Sequence, residues 1–149
     1  MVVAIANSLE LIVENAYPLL RGFEDENLSL PLAPGKWSKK EILGHLIDSA
    51  ANNHQRFIRA QLADSLNFPN YQADLWVECA DYNQRSWSEM VEFWRFYNRH
   101  LAHILRNIKK EKLNTPCLIG EHEPMTLQYL AEDYLSHLQH HVKQMGIGL

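Results

Sequence analysis

Two histidines near the carboxyl-terminal end of the chain have the spacing of paired metal ligands on a helix. His137 and His141 are four residues apart within the segment 126–145. Residues at this spacing lie on one face of an α-helix, about 5.4 Å apart along its axis. Both lie at the edge of an apolar stripe, whereas His140 points away from them. Because neutral imidazole binds zinc, nickel, copper and iron(II), this pair predicts two ligands of a metal site.

A third candidate ligand lies on another predicted helix. Ser38 and Glu41 have the spacing of a capping box. In this motif the side chain of each residue accepts a hydrogen bond from the backbone N–H of the other residue. The helix that begins there is expected to run to about residue 62. His45, Asn52 and Arg56 line one edge of its apolar face, where a helix bundle can form a site. We therefore take His45 as a candidate ligand, and Asn52 and Arg56 as candidate residues of a cavity wall.

The remaining elements are also predicted to be helical. Apolar residues recur at helical spacing in 4–23, where Pro18 should kink or shorten the helix, and in 86–108 after a second capping box. The last helix is 126–145, and no segment has a convincing strand pattern. The connection 63–83 is expected to lack regular structure, and its length allows the second and third helices to run in the same direction. The sequence thus predicts an all-α, four-helix bundle.

Two of these segments resemble known family motifs. Residues 37–48, WSKKEILGHLID, resemble the start of the second helix of the DinB-like (DinB/YfiT-like) family, and NHQRF at 53–57 resembles its continuation. Residues 134–145, YLSHLQHHVKQM, resemble the motif of the family's fourth helix. The similarity extends over essentially the whole chain in motif order and helix number. Each motif is of modest specificity, but the two together at this separation are fairly specific.

The resemblance implies more than the residues alone. It implies an up-down-down-up bundle, often a homodimer, in which three histidines hold a divalent metal ion, usually zinc or nickel. Position by position, the ligands would be His45, His137 and His141. Family members are commonly described as metal-dependent hydrolases, and a related branch transfers low-molecular-weight thiols. Nothing in this sequence selects one branch, although three protein ligands would leave a coordination position for water or substrate.

Several roles stay open at the level of sequence. Arg56 could bind a substrate carboxylate or phosphate, but a structural salt bridge with Asp48 is the favoured interpretation. Asp48 and Asp133 are candidate acceptors for the second nitrogen of a ligand imidazole. No general base stands out, so the catalytic residues are unknown. The glutamate of an HExxH metalloprotease motif is absent after His137.

Composition restricts the class of protein. The 149 residues are 46% hydrophobic and 21% charged, which fits a single globular domain over 1–149. A net charge of −4 gives no basic surface for nucleic acid or an anionic membrane. Neither a signal peptide nor a membrane-spanning run is recognisable, and Cys79 and Cys117 form no disulfide framework, so a cytoplasmic location is expected.

Two functions of different classes follow from these observations. The favoured one is metal-dependent chemistry on a small molecule, either hydrolysis or thiol transfer. The alternative is a non-catalytic helical dimerisation or binding domain, in which the metal site is structural or vestigial. A structural metal would contribute several kcal/mol to folding, which separates the two in part.

Overall fold

Four long helices form a bundle in a computed structural model that describes residues 1–24 and 27–148. This confirms the predicted fold class. Within the described ranges, none of the helices has both the length and the apolar character that crossing a bilayer requires. The helices are α1 (Val2–Arg21), α2 (Lys39–Leu62), the short α3 (Ala73–Ala80), α4 (Trp87–Arg106) and α5 (Leu127–Gln144).

Side-chain caps fix where three of the long helices begin. The Ser38 hydroxyl accepts from the Glu41 N–H at 3.1 Å, and the Ser38 N–H donates to the Glu41 carboxylate at 2.7 Å, so the predicted capping box is complete. Ser86 and Thr126 each accept a hydrogen bond from the backbone N–H three residues later. Such caps satisfy N–H groups that have no partner within the helix. The starts of α2, α4 and α5 were therefore readable from the sequence.

The helix ends differ slightly from the prediction. α1 begins at Val2, two residues earlier than predicted, and continues one turn beyond Pro18 to Arg21. α4 ends at Arg106, two residues before the predicted end. Differences of this size are usual because helix ends fray and apolar periodicity continues into the following turn.

Contacts between helices establish the up-down-down-up topology. Arg95 of α4 donates to Glu14 of α1 at 2.7 Å, and the Trp87 indole N–H donates to the Leu20 carbonyl at 2.8 Å. Early residues of α4 thus face late residues of α1, and these helices are antiparallel. α2 packs between α4 and α5. Its start contacts the end of α5 and Phe57 packs edge-to-face on Tyr134, so α2 and α5 are also antiparallel.

The second and third long helices run in the same direction, as predicted. The beginning of α2 packs against Tyr82, which precedes α4, and the His54 imidazole lies 3.1 Å from the Tyr97 hydroxyl further along both helices. Two parallel neighbours need a long connection between their ends. The segment 63–86 provides it.

This connection is structured, contrary to the prediction. It contains strand β1 (Leu66–Phe68), helix α3 and a 3-10 turn (Tyr82–Gln84). β1 pairs in parallel with β2 (Pro116–Ile119), and β2 pairs in antiparallel fashion with β3 (Met125–Thr126). The prediction of no strands was wrong. Strands of two to four residues are too short for a recognisable alternation, and the partner that stabilises β1 lies about fifty residues later in the chain.

The largely apolar bundle centre contains a buried polar connection between α5 and α4. Trp94, Tyr134 and Phe57 are fully buried together with the aliphatic residues of all four long helices. The Tyr134 hydroxyl donates to the Asn98 side chain at 2.6 Å, and the Asn98 amide donates to the Trp94 carbonyl at 2.8 Å. Because buried polar groups are costly without partners, these two hydrogen bonds fix the position of α5 relative to α4. α5 carries the two paired histidines.

Gly44 allows the 3-10 turn to pack closely against α2. A Cβ atom at this position would lie 2.0 Å from the Tyr82 ring. The Tyr82 hydroxyl donates to Asp48 at 2.6 Å, one turn further along α2. Gly44 therefore permits the approach of Tyr82, which fixes Asp48. A glycine inside a helix lowers stability by about 1 kcal/mol relative to alanine.

Candidate metal centre

The three predicted ligands meet between α2 and α5. His45 lies near the start of α2, whereas His137 and His141 lie near the end of α5. Because the two helices are antiparallel, these positions are at the same end of the bundle. The ring centroids are 4.6 Å to 4.8 Å apart for all three pairs, and the rings meet edge to face. One ring nitrogen of each residue lies within 4.8 Å of the other two.

The converging nitrogens are positioned as a ligand set. The Nε2 atoms of His45 and His137 are 2.9 Å apart. Two nitrogen lone pairs repel at this distance, so either a shared proton or a cation must lie between them. Among the described residues, the cluster contains no acidic side chain. A set of three neutral imidazoles fits a divalent transition-metal ion better than calcium or magnesium, which prefer oxygen ligands.

Neighbouring side chains orient two of the rings. The Nδ1 atom of His141 is 2.8 Å from the Gln144 side-chain oxygen, which can only accept, so Nδ1 carries the proton and Nε2 keeps its lone pair. The Nδ1 atom of His137 lies 3.4 Å from the Ser49 hydroxyl, which in turn is held by Asn53. These contacts direct the Nε2 atoms of both α5 histidines toward His45.

Packing, and not a hydrogen bond, holds the second nitrogen of the His45 ring. Its Nδ1 atom is buried and has no hydrogen-bond partner among the described residues. The Trp37 indole lies against it with 4.8 Å between ring centroids, and is 6.4 Å from His141. Trp37 therefore covers one side of the cluster. The position of Trp37, directly before the cap of α2, could have indicated that it lies close to His45. Its contact with the histidine cluster was not predicted.

Burial keeps the three imidazoles uncharged. It lowers the pKa of His45 to about 3, with further lowering by His137 and His141. It lowers the pKa of His137 to about 4, together with His141 and His140. The pKa of His141 is also lowered by burial, against the opposing effect of Gln144. Neutral imidazole is the ligand form, so the cluster is ready for a cation at neutral pH.

A cavity of about 1030 Å³ lies beside the cluster, between α2, α3 and α4. This volume suits a small molecule. Asn52 and Asp48 lie in its wall on the α2 side, but the three histidines do not. Ser49 connects the two sites. It contacts His137, and its hydroxyl lowers the pKa of the Tyr71 phenol in the cavity wall, against the opposing effect of burial. Four aromatic residues also belong to its wall: Phe68, Tyr71, Trp76 and Tyr97.

Asp48 has a different partner from the one expected. In the described part of the chain, no hydrogen bond joins Asp48 or Asp133 to a candidate ligand, so the prediction that they orient an imidazole was wrong. One Asp48 oxygen instead accepts from the Tyr82 hydroxyl at 2.6 Å, and the other has no described partner. Burial raises the pKa of Asp48, although the Tyr82 hydrogen bond opposes this. The contact could not be read from the sequence because the two residues are 34 positions apart.

Arg56 likewise lacks its favoured partner. The salt bridge with Asp48 is not formed: no carboxylate lies within salt-bridge distance of Arg56 among the residues described. The Arg56 guanidinium instead lies 5.8 Å from the centre of the Phe68 ring and 6.0 Å from that of Tyr71. Both aromatic residues belong to the connection that was expected to be unstructured, so their approach was not predictable. Arg56 contributes to the wall of a second cavity, of about 380 Å³.

The other histidines lie outside the cluster. His54 contacts the Tyr97 hydroxyl, and its ring is 5.1 Å from that of His100. His140 is exposed, yet its ring is only 4.9 Å from His141, closer than expected for a residue pointing away. His122 lies between β2 and β3, in the wall of the 380 Å³ cavity.

Fold and site together define a class of protein: an up-down-down-up four-helix bundle with a three-histidine cluster between its second and last long helices. The family profile described as "DinB superfamily" matches residues 9–145, and the chain belongs to this superfamily.

Comparison with solved structures gives the same fold. YfiT from Bacillus subtilis, described as "a probable metal-dependent hydrolase with an unusual four-helix bundle topology", matches with a TM-score of 0.73. The match covers 97% of this chain and 87% of that one, at 18% sequence identity. No curated protein shows significant sequence similarity to the chain. At this level of identity the likeness to YfiT establishes the common fold.

Proposed function

We propose that the protein binds one divalent metal ion, zinc or nickel, through His45, His137 and His141, and acts on a small molecule at that ion. The observation that carries this proposal is the convergence of three uncharged imidazoles, of which His45 is buried and His137 and His141 are half-buried. Three protein ligands leave a coordination position open. A metal ion so bound lowers the pKa of water to about 7 or favours the thiolate form of a thiol, which suits hydrolysis or thiol transfer.

The residues around the cluster have distinct parts in this proposal. Gln144 holds the His141 imidazole in the tautomer that ligates, Ser49 contacts the ring of His137, and Trp37 keeps water from one side. The aromatic wall of the 1030 Å³ cavity provides the surface on which a small molecule would bind.

Asp48 is the group we assign to proton transfer. It lies one turn after His45, in the cavity wall, with one carboxylate oxygen free of described partners. Burial raises the pKa of this carboxyl group, so it holds a proton more readily than a solvated aspartate does. Tyr82 fixes the orientation of the carboxylate without occupying that oxygen.

Metal content measured by elemental mass spectrometry on tag-free protein tests the ligand assignment. We expect about one zinc or nickel ion per chain, lost in His45→Ala and in His141→Ala. His140→Ala is the matched control, since this exposed histidine neighbours His141 but is not in the cluster. Wild-type protein that binds no divalent metal after reconstitution, or a His45→Ala variant that binds it fully, would contradict the assignment.

Activity assays then test the chemistry. Metal-loaded protein should hydrolyse activated esters or transfer a low-molecular-weight thiol to an electrophile, and Asp48→Asn should slow the reaction while leaving the metal content unchanged. Loss of a general acid or base typically reduces the rate about 100-fold or more. A reaction rate that Asp48→Asn leaves unchanged would remove Asp48 from the mechanism.

One observation favours a second candidate, a helical binding domain with a structural metal. The three histidines are not in the wall of the large cavity, so a bound ion could be closed off from small molecules. In that case chelation should lower the unfolding free energy by several kcal/mol, and neither reaction should be detectable. The homodimer and the cytoplasmic location implied above stay predictions; sedimentation analysis tests the first.

A further inference from the structure

Arg56 is a buried cation whose charge is not paired. The residue is only 8% exposed, and its Nε and Nη2 atoms have no hydrogen-bond partner among the described residues. Burying a guanidinium without a partner is costly, and such groups are normally paired. Burial lowers the pKa of Arg56, but a guanidinium stays protonated at neutral pH. The two unpartnered nitrogen atoms lie on one edge of the guanidinium fork, and both are buried.

The surroundings of Arg56 compensate its charge only in part. Phe68 and Tyr71 offer ring faces at about the limit of cation–π distance, 5.8 Å and 6.0 Å. The charge of Asp133 on α5 raises the pKa of the guanidinium, against the effect of burial, but no ion pair forms between them in the described structure. Asp133 is exposed, so water screens its charge.

The guanidinium belongs to the wall of the cavity of about 380 Å³ between α2, α5 and the β2–β3 turn. Asn70 and His122 lie in the same wall and offer further hydrogen-bonding groups. One part of the wall is apolar, formed by Ile119, Met125 and Leu130. The wall of the cavity thus combines the guanidinium side chain of Arg56 with an apolar surface.

We infer that Arg56 binds the carboxylate of a small molecule whose apolar body lies against this wall. Two parallel N–H groups on one edge match the two oxygens of a carboxylate. A phosphate dianion is disfavoured because Glu123 and Asp133 also line the cavity and would repel the additional charge.

This site lies on the same helix pair as the histidine cluster. Asp133 precedes His137 by one turn on α5, and Arg56 follows Ser49 by two turns on α2. A carboxylate held at Arg56 would therefore lie two turns of α2 from Ser49, which contacts His137, and so could position a substrate relative to the metal ligands. Its use in positioning a substrate rests on the proposed function, whereas binding of the carboxylate does not.

The experiment uses metal-free, full-length protein, so that the metal site does not enter. Binding of 3-phenylpropionate is measured by NMR titration, following the ¹⁵N–¹H signals of the arginine Nε–H groups. The uncharged analogue 3-phenylpropan-1-ol and inorganic phosphate are titrated in parallel. We expect 3-phenylpropionate to shift the Arg56 signal in a saturable manner. It should bind at least about tenfold more tightly than the alcohol, which lacks the carboxylate that Arg56 would bond. It should also bind more tightly than phosphate, which Glu123 and Asp133 repel.

Variants separate this site from a structural ion pair. Arg56→Gln should weaken binding about tenfold or more, and Arg56→Lys should weaken it less, because the charge remains but the fork is lost. Asp133→Asn should tighten binding roughly twofold, since an exposed competing charge is removed. Arg59→Gln is the matched control, because Arg59 is exposed and bonds Gln55 on its own helix.

Several results would overturn the inference: equal binding of the acid and the alcohol, tighter binding of phosphate, no binding to the wild type, or unchanged binding in Arg56→Gln. If the variant fails to fold, the comparison of probes on the wild type still decides. Arg56→Gln should also keep its metal, and His141→Ala should keep carboxylate binding. Failure of this site and failure of the metal site are therefore distinguishable.

Discussion

Metal binding by this protein should release very few protons. An imidazole must be neutral to ligate, so a histidine that is protonated before binding gives up its proton when the metal enters. His45 and His137 are already neutral in the folded protein, because burial and the neighbouring imidazoles lower their pKa values to about 3 and about 4. The pKa of His141 is lowered in the same direction.

The size of the effect follows from these pKa values. At pH 6 a histidine with an ordinary pKa of about 6.5 is about three-quarters protonated, so three such ligands would release about two protons. Here His45 and His137 hold almost none at that pH, and His141 holds less than an ordinary histidine. We therefore expect fewer than about one proton per metal ion. For the same reason the affinity should fall by no more than about tenfold per pH unit below neutrality, which is the dependence set by a single proton.

Isothermal titration calorimetry of zinc binding, in buffers of different ionisation enthalpy, measures the number of protons directly. A synthetic peptide with three solvated histidines is the reference and should release about two protons at pH 6. His140→Ala is the control on the protein, since it removes an exposed imidazole beside the cluster. A release of two or more protons by the wild type, at a stoichiometry of one, would refute the conclusion that the cluster is neutral before the metal binds.

Three further predictions concern the bundle that holds the site. Gly44→Ala should lower the unfolding free energy by about 1 to 3 kcal/mol in denaturant titration, because the new Cβ collides with Tyr82; a more stable variant would show that the turn can move without loss. Tyr134→Phe leaves the buried Asn98 oxygen without its donor and should cost about 1 to 3 kcal/mol, and a change below about 0.5 kcal/mol would show that the bond contributes little. Metal-free protein should lose stability as the pH falls below about 6.5 toward the folded-state values, because the unfolded chain binds protons first; His45→Gln should lose less over that range, and equal losses would place the effect elsewhere.

The helices and their caps were predictable because they depend on local sequence. Ser38 and Glu41 satisfy backbone groups within one turn of each other, and Ser86 and Thr126 begin helices in the same way. The spacing of His137 and His141 on one face follows from helix geometry alone. These interactions involve neighbours in the chain, so a single sequence contains the information that specifies them.

The short strands and α3 were missed because their stability comes from distant partners. β1 has only three residues, and it pairs with β2 about fifty residues later. Neither segment has enough alternating residues to be distinguished from a loop. The connection that contains β1 and α3 also brings Phe68 and Tyr71 against Arg56.

The sequence by itself determined the class of fold, the starts of the helices and the three histidines that could form a metal site. Only the tertiary structure decided that their rings converge, that Trp37 covers them, that Asp48 bonds Tyr82 and that Arg56 has no ion-pair partner. The physical reason is that residues close in sequence share a helix face by backbone geometry. Contacts between elements depend instead on how all the apolar surfaces pack together, which no local pattern records.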